Sequence, residues 1–187
     1  KKKGHVELYY KNGEVHIAFD QSYSHGGFSQ VNQEMNLELT ELVSKELMSQ
    51  KGPLLELFAG DGNLSRSYPD QVVAVDYYTK PNSSIEGHKF ISQNLYHKKA
   101  ITQLREKLSE KDFETLLIDP PRSGFKELKL WLQHFSVQKL FYVSCDPATL
   151  ARDLVSLGPD WKIEQVHLLD LFPSTYHFET FVILKRN

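Results

Sequence analysis

The stretch "PLLELFAGDGN", residues 53–63, sets the architecture. A short apolar run halts at a turn containing two glycines, as a strand buried on both faces does before a sharp bend. Three further runs repeat the pattern: "QVVAVDYY" (71–78), "ETLLIDPPRSG" (114–124) and "KLFYVSCDP" (139–147). Helix-compatible stretches around 97–110 and 125–135 separate the last three. Buried runs alternating with helices predict an α/β fold, a mostly parallel sheet with helices on both faces.

Outside these runs the pattern changes. "HVELYYKNGEVHIAFD" (5–20) alternates about Asn12-Gly13, a pair that favours a type I′ turn, so a β-hairpin is expected. Gly26 and Gly27 end it. In "SQVNQEMNLELTELVSKELMSQKG" (29–52), Val31, Met35, Leu39, Leu42 and Met48 recur near helical spacing, and Gly52 is a plausible stop. At the other end, "WKIEQVHLLDLF" (161–172) and "HFETFVILKR" (177–186) read as two strands without an intervening helix, hence an antiparallel pair. The expected organisation is an N-terminal hairpin segment over 1–27 and one catalytic domain over 28–187.

Composition narrows the class. With 187 residues, 40% of them hydrophobic and 25% charged, the chain can build one globular core. A single cysteine excludes a disulfide framework and any metal site of several Cys ligands, and suits a reducing, cytoplasmic setting. No apolar run approaches ~18 residues, so no membrane partner is expected. The net charge of -2 argues mildly against a nucleic-acid partner, because phosphate contacts dominate such affinity.

Four constellations carry chemistry. In "ELFAGDGN" (56–63), Gly60 and Gly62 follow a strand and allow a ligand close to the backbone. Asp76 ends the next run, where an acidic side chain can hold ribose hydroxyls. A nicotinamide enzyme would use the same device, but its three-glycine fingerprint is missing. In "DPPRSG" (119–124), Asp119 ends a strand and should face the crevice at the carboxyl edge of the sheet; a rigid turn with Asp119 as a cap is the plainer alternative. In "SCDPATLARDL" (144–154), Asp146 is a good N-cap and Pro147 a good first helical residue. Cys145 then precedes a helix N-terminus, which favours thiolate over the inert core thiol that a lone cysteine usually is. In "FPSTYHFETFVIL" (172–184), Glu179 starts the last strand; His177 and Glu179 echo the zinc deaminases, whose Pro-Cys-x-x-Cys partner this chain lacks.

In one order on one sheet, "FSQVN" (28–32), "ELFAGDGN", "DPPRSG", "SCDPATLARD" and "FPSTYHFET" resemble the catalytic domain of the RNA 5-methyluridine (uracil-C5) methyltransferases. The E-L-x-x-G-x-G run by itself resembles the first motif of class I methyltransferases. The resemblance implies a Rossmann-like sheet with a C-terminal antiparallel strand, S-adenosyl-L-methionine as cofactor, and an RNA substrate, with ribosomal RNA favoured over transfer RNA. Position by position, it implies cofactor contacts at Gln30, Phe58, Asn63, Asp76 and Asp119, a nucleophile at Cys145, a proton acceptor at Glu179 and no metal. A thiolate added to carbon 6 of uracil would activate carbon 5, which is otherwise a poor nucleophile. Arg122 stands where adenine amino-methyltransferases carry an aromatic, and Pro121-Arg122 replaces the Pro-Cys of many cytosine-C5 enzymes, so uracil is favoured. Ser174 departs from the family's F-P-H-T-x-H-x-E, and Phe178 sits between His177 and Glu179. Many relatives also carry an oligonucleotide-binding barrel and some an iron–sulfur cluster, so the chain is expected to be part of a longer protein. A cofactor- or RNA-binding module without turnover, and a small-molecule methyltransferase, are the alternatives on the same fold.

Overall fold

The computed structural model describes residues 6–11, 14–19, 33–77, 85–108, 112–170 and 178–187. Strand β1 (Val6–Lys11) pairs antiparallel with β2 (Glu14–Phe19), Val6 opposite Phe19 and Lys11 opposite Glu14. That register closes a hairpin about Asn12-Gly13, which lie outside the described residues along with the "FSQVN" motif and the segment 171–177.

The remaining strands form one seven-stranded sheet: β3 (Leu54–Leu57), β4 (Val72–Asp76), β5 (His88–Ser92), β6 (Thr115–Ile118), β7 (Lys139–Ser144), β8 (Trp161–Leu169) and β9 (Glu179–Arg186). Their spatial order is β5-β4-β3-β6-β7-β9-β8. From β5 to β7 all pairings are parallel, and β9 runs antiparallel to both β7 and β8. The chain therefore moves outward from β3 in one direction and returns to its other side at β6. Such a reversal opens a crevice at the carboxyl ends of the two strands.

Alternation along the strands builds two cores. Leu55, Leu57, Val73 and Val75 face helices α2 (Ala100–Lys107), α3 (Leu128–His134) and α4 (Pro147–Leu157) through Leu104, Trp131 and Leu150. Leu54, Val72, Ala74, Phe141 and Phe181 face α1 (Gln33–Leu47) on the other side. Helix α1 buries Leu39, Val43 and Leu47, spaced four apart, with Leu42 beside them. It ends before Met48, which is exposed, so that residue is no part of the stripe expected for it. Strand β5 leaves little trace in the sequence, because "HKFIS" offers only Phe90 and Ile91 to the apolar pattern, as an edge strand does. Among the described residues, no helix is long and apolar enough to cross a membrane.

Candidate active site

Backbone registers bring the motifs to one edge of the sheet. Leu57 pairs with Val75 on one side and Ile118 on the other. The next residue of each strand is then Phe58, Asp76 and Asp119, so all three sit in line at the carboxyl edge. Phe58 turns there with φ of 61°, a left-handed conformation that costs a non-glycine residue about 1–2 kcal/mol. Its ring packs edge-on against Phe125, with centroids 5.0 Å apart, and tilts against exposed Tyr96 at 5.8 Å. The chain between the glycines winds on as turns, not as a helix. Gly60 and Gly62 both have positive φ, but for different reasons. A Cβ at Gly62 would lie 3.0 Å from the Phe90 ring, so that glycine is a packing contact. A Cβ at Gly60 would meet nothing within 4 Å, leaving open space in front of the turn. The Gly60 amide donates to Asp76 Oδ2 at 3.0 Å, tying the turn to the end of β4. Asn63 instead reaches α1, with its amide nitrogen 3.4 Å from Thr40 Oγ1.

The second half of the site comes from β7 and β9. Ser144 pairs with Thr180, the last pair of that register, so Cys145 directly follows β7 and Glu179 directly precedes Thr180 in β9, near enough for the Glu179 charge to act on the thiol. Cys145 also precedes α4, whose N-cap Asp146 accepts from the amides of Ala148 and Thr149 at 3.0 and 2.9 Å, with Pro147 in the first turn. Glu179 is 4% exposed, and its Oε2 is buried without a hydrogen-bond partner among the described residues. An unsatisfied buried carboxylate oxygen costs free energy unless a ligand or water serves it.

Electrostatics couple the halves. Burial pushes the Cys145 thiol up and Glu179 adds to this; the nearby Arg122 guanidinium opposes it, and Asp119 adds a smaller push upward. Burial likewise raises Glu179 to about 7, against the pull of Arg122. Asp119 rises to about 8 through burial, then repulsion from Glu179 and Glu56. Glu56, buried on β3, rises to about 7 through burial despite the hydroxyl that Ser65 donates to it, with Asp76 adding repulsion. The site thus gathers carboxyls that prefer to be neutral unless a cation joins them.

A stability consequence follows. Each of these carboxyls has its pKa raised by folding, so its contribution is complete below about pH 4 and lost as pH rises through about 7 to 8. The melting temperature of the ligand-free protein is expected to fall from pH 5.5 to 8.5, and Asp119→Asn should flatten that fall. A wild-type profile rising over this range in thermal denaturation would contradict the charge arrangement.

Of the residues singled out in the sequence, Phe58, Gly60, Asp76, Asp119, Cys145 and Glu179 meet at this edge. Gly62 supports the turn from behind, Asn63 turns to α1, and Gln30 lies outside the described residues. Sequence reasoning missed Glu56, and missed that Arg122 lies close enough to act on the thiol. Their only signal is position, one at the start of the glycine motif and one just past the Pro-Pro step.

Comparison with known proteins places the chain. Residues 87–187 match the family model described as tRNA (Uracil-5-)-methyltransferase. The 23S rRNA (uracil(1939)-C(5))-methyltransferase RlmD of Shewanella frigidimarina is 33% identical over 175 residues, covering 89% of this chain and 38% of that protein. The tRNA/tmRNA (uracil-C(5))-methyltransferase of Shigella flexneri is 30% identical over 180 residues, covering 84% of this chain and 48% of its own. The chain spans less than half the length of these relatives. In fold, it is similar to the tRNA (uracil-54, C5)-methyltransferase of Pyrococcus abyssi, solved with S-adenosyl-L-homocysteine: TM-score 0.66 at 22% identity, over 96% of this chain and 44% of that one. A family model that matches more than half of its residues, over the strands carrying Asp119, Cys145 and Glu179, makes this chain a member of the tRNA (uracil-5-)-methyltransferase family.

Proposed function

We propose that this domain methylates carbon 5 of a uridine in RNA, with Cys145 as nucleophile and Glu179 as proton acceptor. The observation that carries the reading is the meeting of these two residues where the β7–β9 register ends, with Arg122 close enough to act on the thiol and a buried Glu179 oxygen without a hydrogen-bond partner among the described residues.

S-adenosylmethionine fits the other half of the edge. The open face of Gly60 admits a ligand close to the backbone, and Asp76 at the end of β4 suits ribose hydroxyls. The neutral-leaning carboxyls around Asp119 suit a cation such as a sulfonium. When bound, the cofactor supplies an electrophilic methyl group and leaves as S-adenosylhomocysteine.

The protein's own part is proton and electron bookkeeping at the base. Arg122 favours the thiolate of Cys145 by charge and hydrogen bonding. The thiolate forms a bond to carbon 6, and the electron pair released moves onto carbon 5 and its carbonyl. Once carbon 5 carries the methyl group, the Glu179 carboxylate takes its proton. The carbon 6–sulfur bond then breaks, restoring the double bond and the thiolate. The uridine must be single-stranded or flipped out for both faces to be reached. Relatives named for ribosomal RNA and for transfer RNA match the chain about equally, and ribosomal RNA is proposed as the substrate for the test below to decide.

The test uses ribosomal and transfer RNA transcripts containing 5-fluorouridine, which has no proton for Glu179 to take. With S-adenosylmethionine present, a protein–RNA band that survives denaturation is expected, stronger with ribosomal RNA. Cofactor binding with no such band on either RNA would reduce the domain to a binding module. A stronger transfer RNA band would overturn the substrate assignment alone.

A further inference from the structure

Three pieces of backbone meet near Cys145: strand β7 before it, helix α4 after it, and the 119–125 loop, whose Arg122 carbonyl accepts from Thr149 in the first turn of α4. One carboxylate touches all three. Asp153, on α4 and 1% exposed, accepts from the Tyr142 hydroxyl of β7 at 2.7 Å and from the Phe125 amide of the loop at 2.6 Å, both on Oδ2. Its Oδ1 holds Arg152 through Nε and Nη2, at 3.0 and 2.7 Å. The same Arg152 Nη2 donates to the Ser123 carbonyl at 2.8 Å, and Thr149 Oγ1 donates to the Arg122 carbonyl at 3.0 Å.

Gly124 shows independently how close the contact is. Its φ is +67°, and a Cβ there would overlap Asp153 Oδ2 and lie 2.6 Å from Arg152 Nη2. The loop is thus laid directly on the ion pair, with no side chain between them. Packing alone would be served as well by an apolar residue at 153, since a buried carboxylate, even one paired with a partly exposed arginine, rarely adds stability over one. A charged, four-donor junction at this place instead fixes where three backbones sit relative to one another.

Resting on the reading of Cys145 as nucleophile, we propose that Asp153 is a positioning residue: by clamping the 119–125 loop to α4 and β7, it holds Arg122 beside the start of α4, where Cys145 lies. Asp153 itself touches neither RNA nor cofactor in this assignment. Its effect reaches the reaction through Arg122, whose charge is permanent, so that only its distance can vary.

Cys145 is the only cysteine, so the pH profile of its iodoacetamide alkylation reports this thiol without ambiguity. In the full chain, Asp153→Asn is expected to move the midpoint upward by about one pH unit, a roughly tenfold slower alkylation at pH 7. Arg122→Ala should give a shift at least as large. Asp153→Asn added to Arg122→Ala should then change nothing further, as coupled residues behave in a double-mutant cycle. A purely structural role would lower the melting temperature and leave the midpoint in place, and that result in folded Asp153→Asn overturns the proposal. So does an additive double mutant. If Asp153→Asn fails to fold, Arg152→Lys serves instead: it keeps the charge but cannot span both Asp153 and the Ser123 carbonyl. A two- to threefold slower alkylation at pH 7 is expected, and an unchanged profile overturns the proposal. Alkylation needs neither RNA nor turnover. If Cys145→Ala still methylates RNA, the nucleophile reading falls, while the profile still decides whether Asp153 governs the thiol.

Discussion

Replacing Cys145 by alanine is expected to lower RNA methylation by at least about 1,000-fold and to abolish the covalent band with 5-fluorouridine RNA. The size follows from the chemistry. Without a bond at carbon 6, carbon 5 has too little electron density to displace a methyl group, and no neighbouring side chain can substitute. Among the residues at this edge the alternatives are carboxyls held toward neutrality, which are poor nucleophiles. Cofactor affinity should stay within about twofold, because Gly60, in the turn after β3, and Asp76, at the end of β4, lie on the far side of β6 from the thiol. Radiolabelled methyl transfer and calorimetry, run on the same preparation, separate the two effects. Residual transfer within tenfold of wild type would remove the covalent route from consideration.

The second large effect is expected at Glu179. Glu179→Gln should reduce turnover by about 10²–10⁴-fold, the usual worth of a general base. Its signature differs from that of Cys145→Ala: carbon 5 becomes methylated but keeps its proton, so elimination stalls and a methylated adduct accumulates on ordinary uridine RNA. The pH profile carries a further distinction. Glu179 must be ionised to accept the proton, and burial holds it at about 7, so wild-type turnover should climb through that pH. The thiol, raised by burial and by Glu179 itself, contributes a limb at higher pH. In Glu179→Gln the lower limb should vanish. Single-turnover assays that find no trapped adduct and an intact limb near pH 7 would assign the proton to another group.

How far the sequence discloses this site depends on which kind of force places each residue. Positions fixed by burial are legible. The runs ending at Leu57, Asp76, Ile118 and Ser144 have to be strands, because nothing else buries such continuous apolar segments with glycine or proline behind them. Asp146-Pro147 marks a helix start as plainly, and the structure caps it as the residue types require. Pairing is less legible. The sequence indicates that two strands close the chain antiparallel, but it does not say that β9 enters between β7 and β8, and that insertion is what brings Glu179 to the end of β7, which Cys145 follows. Least legible are polar groups whose meaning is wholly tertiary. Asp153 falls in "TLARDL" like any solvated helix charge, and only Tyr142, Phe125 and Gly124, distant in sequence, reveal that it is buried. Arg122 registers in the sequence chiefly as a missing aromatic. Strand β5 was missed for the converse reason: at the rim of a sheet, burial is too partial to write a pattern.

The position of β9 also bears on the order in which the protein becomes competent during synthesis. Every other strand of the sheet leaves the ribosome first, and the thiol, its arginine and the glycine turn are all encoded upstream of residue 179. A nascent chain can therefore assemble the parallel half of the sheet and present Cys145 with no carboxylate opposite it. On the proposed mechanism, such a half-built site could attach to a uridine but not release it, and the arrival of β9 between β7 and β8 would supply the group that lets the thiol go.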